Sequence, residues 1–200
     1  DRLANEMQDV VTILRGKPGE IIRKNEYPVQ CFKNRQVAKL DFLFDSAKHQ
    51  IDILQTNLQT IATDYLRGIK SSLQKNPELT MRILTLDPES DYAARRARQL
   101  GFTVRQFRDQ LARNIEAITL ELQEFSERVE LRIYDDFPLQ ITFRIDDKVV
   151  NCMVSGHRQS RNNCLFVLNT DDLGASETFL AHFDELWSKA AQYVKTARRT

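Results

Sequence analysis

The sequence has little of several features that mark common enzyme classes. It contains six glycines among 200 residues, and none forms the Gly-x-Gly-x-x-Gly pattern that holds a dinucleotide phosphate. Its three histidines and three cysteines are scattered, without the short spacing of metal ligands. No Gly-x-Ser-x-Gly elbow of a serine hydrolase is present. We therefore expect neither a cofactor nor a metal site, and the pattern argues against serine hydrolysis and metal-dependent hydrolysis.

The chain also lacks a strong net charge and a long apolar run. With 29 basic and 28 acidic side chains, its formal net charge is +1, so no global field attracts nucleic acid or a membrane surface. No apolar run approaches the length of a membrane span, and no signal peptide opens the sequence. We predict a cytoplasmic protein that has no membrane span and does not take nucleic acid as a partner.

The cysteines Cys31, Cys152 and Cys164 are odd in number, which is typical of reduced thiols in a cytoplasmic protein. Cys152 and Cys164 fall on predicted strands, so we expect both in the core. The chain begins with Asp1 rather than methionine. We expect it to be part of a longer polypeptide whose upstream domain is one of its partners.

Alternating apolar and polar residues in the middle of the chain predict a β-sheet. Val129, Leu131 and Ile133 alternate with polar residues, and the pattern returns after residue 140, which is typical of half-buried strands. Acidic turns separate these runs. Further strands are predicted near residues 51–57, 79–86, 149–154 and 164–169, and helical spacing is found over 35–48, 58–73, 87–100, 104–125 and 179–193. The order predicts an α/β domain with a mixed sheet and helices on both faces.

The N-terminal residues read as a separate helical arm. Apolar positions from Leu3 to Leu14 fall on one helical face, and the breaker Gly16-Lys17-Pro18-Gly19 ends the pattern. We predict an arm or linker over residues 1–34 and one α/β domain over residues 35–200. The arm could pack on its own domain, pair with a second copy in a homodimer, or continue an upstream linker.

Polar residues at the predicted strand ends are the candidate ligand-binding residues, because ligands bind where the strands of open α/β sheets end. Asn57, Asp87 and Ser90 follow two strands, although Asn57 and Asp87 are equally explained as helix caps. Arg144 and the turn residue Asp146 lie in the predicted hairpin, where Arg144 could form a cross-strand ion pair or bind an anion. Ser155 and His157 open a polar loop. These seven residues form the predicted site.

A run of arginines lies on the two helices that precede the central hairpin. Acidic residues are interspersed with it, so a solvated, salt-bridged helix face explains it best, with a phosphate-binding face as the alternative. The run comprises Arg95, Arg96, Arg98, Arg105, Arg108 and Arg113. On the last helix, Trp187 shares a face with Phe183 and Leu186, and we expect its ring to be buried against the sheet.

The succession of motifs from Leu40 to Ala190 resembles a phospholipase D-like domain. The segments that carry the resemblance are IDIL, LTLDPES, VELRIYDD, ITFRIDDKVVNCMVS, CLFVLN and FLAHFDELW. In that family a His-x-Lys motif, followed four residues later by Asp, supplies the nucleophilic histidine and the phosphate-binding lysine. The resemblance places the acidic position at Asp146 or Asp147 and the family's serine near Ser155.

The front half of that motif is missing. Counted back from Asp146, Leu139 stands at the histidine position and Ile141 at the lysine position, and the chain contains no His-x-Lys. The resemblance therefore implies a degenerate, catalytically silent domain that binds or senses a small anionic molecule, such as a phosphate, nucleotide or lipid headgroup, within a regulatory protein. The alternatives are a phosphodiesterase or nuclease with His157 as a relocated nucleophile, and a purely structural dimerisation domain.

Overall fold

A computed structural model describes residues 29–35, 37–154, 163–170 and 175–193. Eight strands form one mixed sheet in the order β1-β7-β6-β5-β2-β3-β4-β8. The predicted mixed α/β architecture is confirmed. The strands are β1 (Gln30–Phe32), β2 (Gln50–Gln55), β3 (Thr80–Leu86), β4 (Val129–Tyr134), β5 (Gln140–Ile145), β6 (Lys148–Met153), β7 (Leu165–Asn169) and β8 (Ala191–Gln192).

The sheet joins a parallel half to an antiparallel half. Strands β2, β3 and β4 run parallel, while β5 pairs antiparallel with β2 and continues into the antiparallel strands β6 and β7. Since Leu54 lies opposite Thr142, the end of β2 meets the beginning of β5 at one edge of the sheet. We call this edge the carboxyl edge, because β2 and β3 both end there.

Helices connect the parallel strands and cover both faces of the sheet. A π-helical segment at Ile61–Tyr65 leads into the second α-helix, and a short 3-10 turn at Gln123–Phe125 follows the fourth. The α-helices are α1 (Leu40–Asp45), α2 (Leu66–Lys75), α3 (Asp91–Gln99), α4 (Val104–Glu121) and α5 (Ala175–Lys189).

The two faces of the sheet build two apolar clusters. Ile51 and Ile53 of β2 pack with α1, α2 and the second half of α4, whereas Leu54 packs with α3, α5 and the first turns of α4. The alternation follows from the two-residue period of a strand. Every predicted core position on α4 is buried, from Phe107 to Ile118, so its helical stripe is confirmed.

Two core predictions are wrong. Cys152 is buried, but Cys164 is exposed, because it precedes β7 instead of lying within it. Trp187 is half-buried and does not insert into the core. Its ring stacks on Phe183 with centroids 5.8 Å apart, and the guanidinium of Arg132 lies 4.4 Å from its ring centre. Cationic side chains thus cover part of this ring.

The arm helix predicted from Leu3 to Leu14 lies outside the described residues. Within the range assigned to the arm, Gln30–Phe32 pairs antiparallel with β7 as an edge strand. Across the described ranges, every helix is too short or too polar to cross a lipid bilayer.

Candidate ligand-binding cleft

A cleft of about 100 Å³ opens at the carboxyl edge, where the parallel half of the sheet meets the antiparallel half. Its floor is formed by Gln55, Thr56 and Asn57, which end β2. Ile141 of β5 and Val154 after β6 complete the floor. Pockets at such strand ends are the usual ligand sites of open α/β sheets.

One wall of the cleft is the π-helical segment and the residue before it. Thr60, Thr63 and Asp64 line the cleft from this side, and the Thr63 hydroxyl donates a 2.6 Å hydrogen bond to Oδ1 of Asp64. A π-helical turn changes the direction in which side chains project, and such turns occur frequently at functional sites. The sequence showed only an ordinary helical period here.

The opposite wall is formed by the end of α3 and the start of α4. Gly101 ends α3 with a φ of 76°, a left-handed conformation that glycine adopts without strain. This turn places Phe102 on the cleft, where its ring stacks on Phe107 with centroids 6.2 Å apart. Arg96 of α3 also lines this wall.

Four buried polar atoms at this edge have no hydrogen-bond partner of good geometry among the described residues: Gln55 Oε1, Thr56 Oγ1, Tyr134 OH and Gln140 Nε2. The hydroxyls of Thr56 and Tyr134 lie beside each other, and burial raises the pKa of Tyr134. Leaving a buried polar group unsatisfied costs about 1–3 kcal/mol. Such groups are common where a ligand or a water supplies the missing partner.

Among the described residues, the charged side chains that line the cleft are those of Arg96 and Asp64. Arg96 is only 5% exposed, and its Nη1 donates to Oε1 of Gln99 at 3.1 Å. Burial lowers the pKa of Arg96, an effect that Tyr134 opposes, but a guanidinium stays protonated at neutral pH. Asp64 lines the cleft from the π-helical wall.

A second buried arginine, Arg35, packs on Phe143 of β5. Arg35 is 4% exposed, and its guanidinium lies 5.3 Å from the ring centre of Phe143. Burial lowers the pKa of Arg35, while Tyr65 and Asp64 act in the opposite direction. Within the described ranges, no group of three or more His, Cys, Asp or Glu side chains is arranged to hold a metal ion.

Asn57 is the predicted site residue that lines the cleft. Its Oδ1 accepts hydrogen bonds from the backbone N–H of Gln59 at 3.0 Å and from Nδ2 of Asn114 at 2.6 Å. Asn57 therefore also performs the capping function that the sequence offered as the alternative.

Asp87 and Ser90 lie at the carboxyl edge, but their side chains accept hydrogen bonds from backbone N–H groups at the start of α3. Oδ1 of Asp87 accepts from the backbone N–H of Glu89 at 2.8 Å, and the Ser90 hydroxyl accepts from that of Ala93 at 3.0 Å. Ser90, rather than Asp87, is the N-cap of α3. Neither residue lines the cleft.

Arg144 and Asp146 lie at the opposite end of the sheet from the cleft, so the structure does not bring them together with Asn57 and Asp87. The Asp146 carboxylate accepts hydrogen bonds from the backbone N–H groups of Lys48, His49 and Gln50 at 2.8–3.0 Å, and its φ is 52°. Asp146 thus joins the tight turn after β5 to the start of β2.

Arg144 lies beside this turn, and its Nε approaches the backbone oxygen of Asp146 at 3.5 Å. Ser155 and His157, the remaining two residues of the predicted site, lie outside the described residues. Their participation in a ligand site stays a prediction.

The arginine run is divided among several environments. Arg108 donates to Oε2 of Glu89 at 2.9 Å, and Arg105 approaches Asp109 at 3.9 Å on the helix surface. These contacts fit the predicted salt-bridged face. Arg96 is the exception, because it turns inward to the cleft. The run alone gave no signal for this, since only the helical phase of α3 separates Arg96 from its neighbours.

One of the two positions that would carry the His-x-Lys motif lies at the cleft. Ile141, at the lysine position, lies on the floor and is 2% exposed. Leu139, at the histidine position, precedes β5, is 52% exposed and does not line the cleft. Apolar side chains stand at both positions.

The chain matches no protein-family model, and no curated protein matches it. Among solved structures, TrmBL2, an archaeal chromatin protein described as showing a novel mode of DNA binding, superposes with a TM-score of 0.56 at 15% identity. That match covers 96% of this chain and 62% of TrmBL2. The present chain therefore spans less than two thirds of that protein.

Two further solved structures that match the chain are a phospholipase D family member and a phosphatidylserine synthase. Nuc of Salmonella typhimurium, a phospholipase D family member, has a TM-score of 0.54 at 15% identity, covering 82% of this chain and 97% of Nuc. Phosphatidylserine synthase of Haemophilus influenzae has a TM-score of 0.51 at 10% identity, covering 83% of this chain and 39% of the synthase. At these identities the likeness concerns the fold alone, and it shows that the chain adopts a phospholipase D-like α/β fold.

Proposed function

We propose that the chain is a catalytically silent binding module whose cleft at the carboxyl edge binds a small polar molecule with an anionic group. The module would report ligand binding to an upstream domain of the same polypeptide. The observation that carries the proposal is the presence of two buried polar groups on the cleft floor, Gln55 Oε1 and Thr56 Oγ1, in a cleft that Arg96 also lines.

The cleft has the composition of a binding site. Apolar side chains such as Ile141 and Phe102 exclude water from part of it, and hydroxyl and amide groups fix orientation. Arg96 supplies a positive charge that is already desolvated, and a charge-assisted hydrogen bond to a ligand oxygen is about twice as strong as a neutral one. An anion would also complete the hydrogen bonding of the Thr56 hydroxyl.

The same cleft lacks the groups that the family's chemistry needs. Covalent catalysis at phosphorus requires a nucleophile and a neighbouring group that binds the phosphate. Leu139 and Ile141 can do neither, and the described part of the cleft contains no histidine. These replacements support binding without turnover.

A thermal-shift titration with inorganic phosphate, nucleotides and phospholipid headgroups tests the proposal. Thr56→Val removes the hydroxyl but keeps the shape; because that hydroxyl lies beside the buried hydroxyl of Tyr134, the ligand-induced rise is measured from the variant's own ligand-free melting temperature. The same variant should lose most of any ligand-induced rise.

Thr80→Val, at the other end of the sheet, serves as the matched control and should respond to ligand as the wild type does. If no anion raises the melting temperature, or if Thr56→Val and Thr80→Val respond equally, the cleft is not the binding site.

Nucleic-acid binding is a second candidate, because TrmBL2 has a DNA-binding mode and its likeness covers 96% of this chain. Arg105 and Arg108 already contact the carboxylates of Asp109 and Glu89. They therefore support DNA binding less than the cleft supports the binding of a small ligand. Fluorescence anisotropy with double-stranded DNA at about 50 and 200 mM salt tests it, since phosphate contacts weaken steeply over that range. Binding at about 50 mM salt that weakens steeply at about 200 mM would favour this candidate.

A further inference from the structure

We infer that the ligand of the cleft is a small zwitterion, which carries a cationic ammonium in addition to the anionic group already proposed. This inference rests on the proposed function and adds the chemical class of the ligand. It follows from how the charged and unpartnered groups are distributed between the two walls.

The α3 wall and the adjacent floor form a pole that favours negative charge. Arg96 contributes its guanidinium, and Thr56 contributes a buried hydroxyl that lies beside the hydroxyl of Tyr134. Both can donate hydrogen bonds to a carboxylate or phosphate oxygen. Because Arg96 is nearly fully buried, an anion seated against it is screened little by solvent.

The π-helical wall and the other part of the floor form a pole that favours hydrogen-bond donors. The Asp64 carboxylate receives one hydrogen bond, from Thr63, at its Oδ1, which leaves Oδ2 as an acceptor for a ligand. Gln55 is only 3% exposed, and its Oε1 has no partner among the described residues. A carboxylate and an amide oxygen together accept from an ammonium, which has three donors.

A purely anionic ligand would be repelled by the Asp64 carboxylate. Inorganic phosphate could bond to Arg96 and Thr56, and the hydroxyl that it retains at neutral pH could donate to Gln55, but it offers no positive charge to Asp64. A ligand with one positive and one negative group matches Arg96 and Asp64, the two charged side chains that line the cleft among the described residues. The volume of about 100 Å³ restricts such a ligand to a small molecule.

A homologous series of ω-amino acids tests the inference and measures the charge spacing. Glycine, β-alanine, 4-aminobutanoate and 5-aminopentanoate carry the same two charges at increasing separation. Butanoate and butylamine carry one charge each at similar size. Isothermal titration calorimetry of each compound, at low and at physiological ionic strength, should show an affinity maximum at one chain length, with both single-charge compounds weaker by about tenfold or more.

Asp64→Asn should reduce the affinity of the best amino acid by about tenfold while changing that of butanoate little, because only the ammonium contact is lost. Asp109→Asn, which removes an exposed carboxylate from the outer face of α4, is the matched control and should leave both affinities unchanged. Asp64 is exposed, so the variant should fold normally, and a circular dichroism melt checks this.

Three outcomes separate this inference from the proposed function. Amino-acid binding that depends on Asp64 supports both. Binding of butanoate or inorganic phosphate as tight as that of every amino acid, with no effect of Asp64→Asn, overturns the zwitterion and leaves the anion-binding module. No binding by any compound in either panel overturns both proposals.

Discussion

Arg82 holds the carboxylate of Asp52 through two parallel hydrogen bonds, 2.8 Å from Nε to Oδ1 and 2.9 Å from Nη2 to Oδ2. Asp52 is 1% exposed and also accepts from Nε2 of Gln50 at 2.8 Å. The third nitrogen of Arg82 reaches Asp184 of α5 at 3.0 Å. This pair connects two adjacent parallel strands to the helix that covers them.

Asp52→Ala should therefore be strongly destabilising. Removing one member of a buried ion pair leaves the other charge without compensation, a loss of about 3–5 kcal/mol; the contact between Arg82 and Asp184 places the expected value near the lower end. Urea denaturation followed by circular dichroism measures it. Asp184→Asn removes the partly solvated carboxylate and should cost less than about 1 kcal/mol. Equal losses of unfolding free energy in the two variants would show that the buried carboxylate of Asp52 contributes no more to stability than the partly solvated carboxylate of Asp184.

Asp146 should contribute to stability rather than to binding. Burial opposes ionisation of its carboxyl, but hydrogen bonds from the backbone of Gln50, His49 and Lys48 outweigh this effect and lower the pKa of Asp146 below its usual 3.8. Asp146→Asn removes the charge and keeps a residue that tolerates the left-handed backbone, so it should cost about 1–3 kcal/mol at neutral pH.

The pH dependence of that cost has a defined sign. Because the native pKa of Asp146 is lower than the unfolded value of 3.8, its stabilisation is fully present well above pH 3.8 and is lost as pH falls through the native pKa. The difference in unfolding free energy between wild type and Asp146→Asn should shrink only in acid. Asp147→Asn, in the same turn but exposed, should show no such trend. A cost that persists unchanged at low pH would contradict this role.

Trp187→Ala should destabilise the protein by about 2–3 kcal/mol, below the range of about 3–5 kcal/mol for a fully buried aromatic residue. The half-buried ring loses its stacking on Phe183 and its contact with the Arg132 guanidinium, but no large cavity forms. Urea denaturation followed by circular dichroism measures the loss. Trp187→Phe keeps an aromatic face for Arg132 and should recover more than half of the loss. Indifference to both substitutions would mean that α5 is held by Phe183 and Leu186 alone.

Much of the fold was accessible from the sequence, because long periodic segments depend on local pattern. The stripe of α4 and the alternation of β4 and β5 gave the correct elements within one or a few residues. The short strands β1 and β8 were not predicted, since three and two residues carry no period and pair only because a neighbouring strand offers an edge.

The site was less accessible, because it depends on which strand ends become neighbours. Asn57 lies at the carboxyl edge, as any residue after β2 must, and its role in binding a ligand stays a prediction. Asp146 was grouped with it because the reversed direction of β5 could not be read from the motif alone. Arg96 was overlooked within a run of similar residues, and the arginines that partly cover the Trp187 ring come from strands distant in the sequence. The location of Asp146, the inward orientation of Arg96 and the environment of Trp187 depend on tertiary contacts, which a local sequence pattern does not encode.

The last prediction concerns catalysis: purified protein should show no detectable hydrolysis of bis-p-nitrophenyl phosphate, with or without divalent metal. The positions that would supply a nucleophile and its phosphate-binding partner hold Leu139 and Ile141, and loss of such a pair typically costs several orders of magnitude in rate. A phospholipase D-type nuclease assayed in parallel establishes the detection limit. Turnover that disappears in His157→Ala would overturn catalytic silence and support the relocated nucleophile. Turnover that survives His157→Ala but disappears in Arg96→Gln would place an unforeseen chemistry in the cleft itself, because Arg96 lines it.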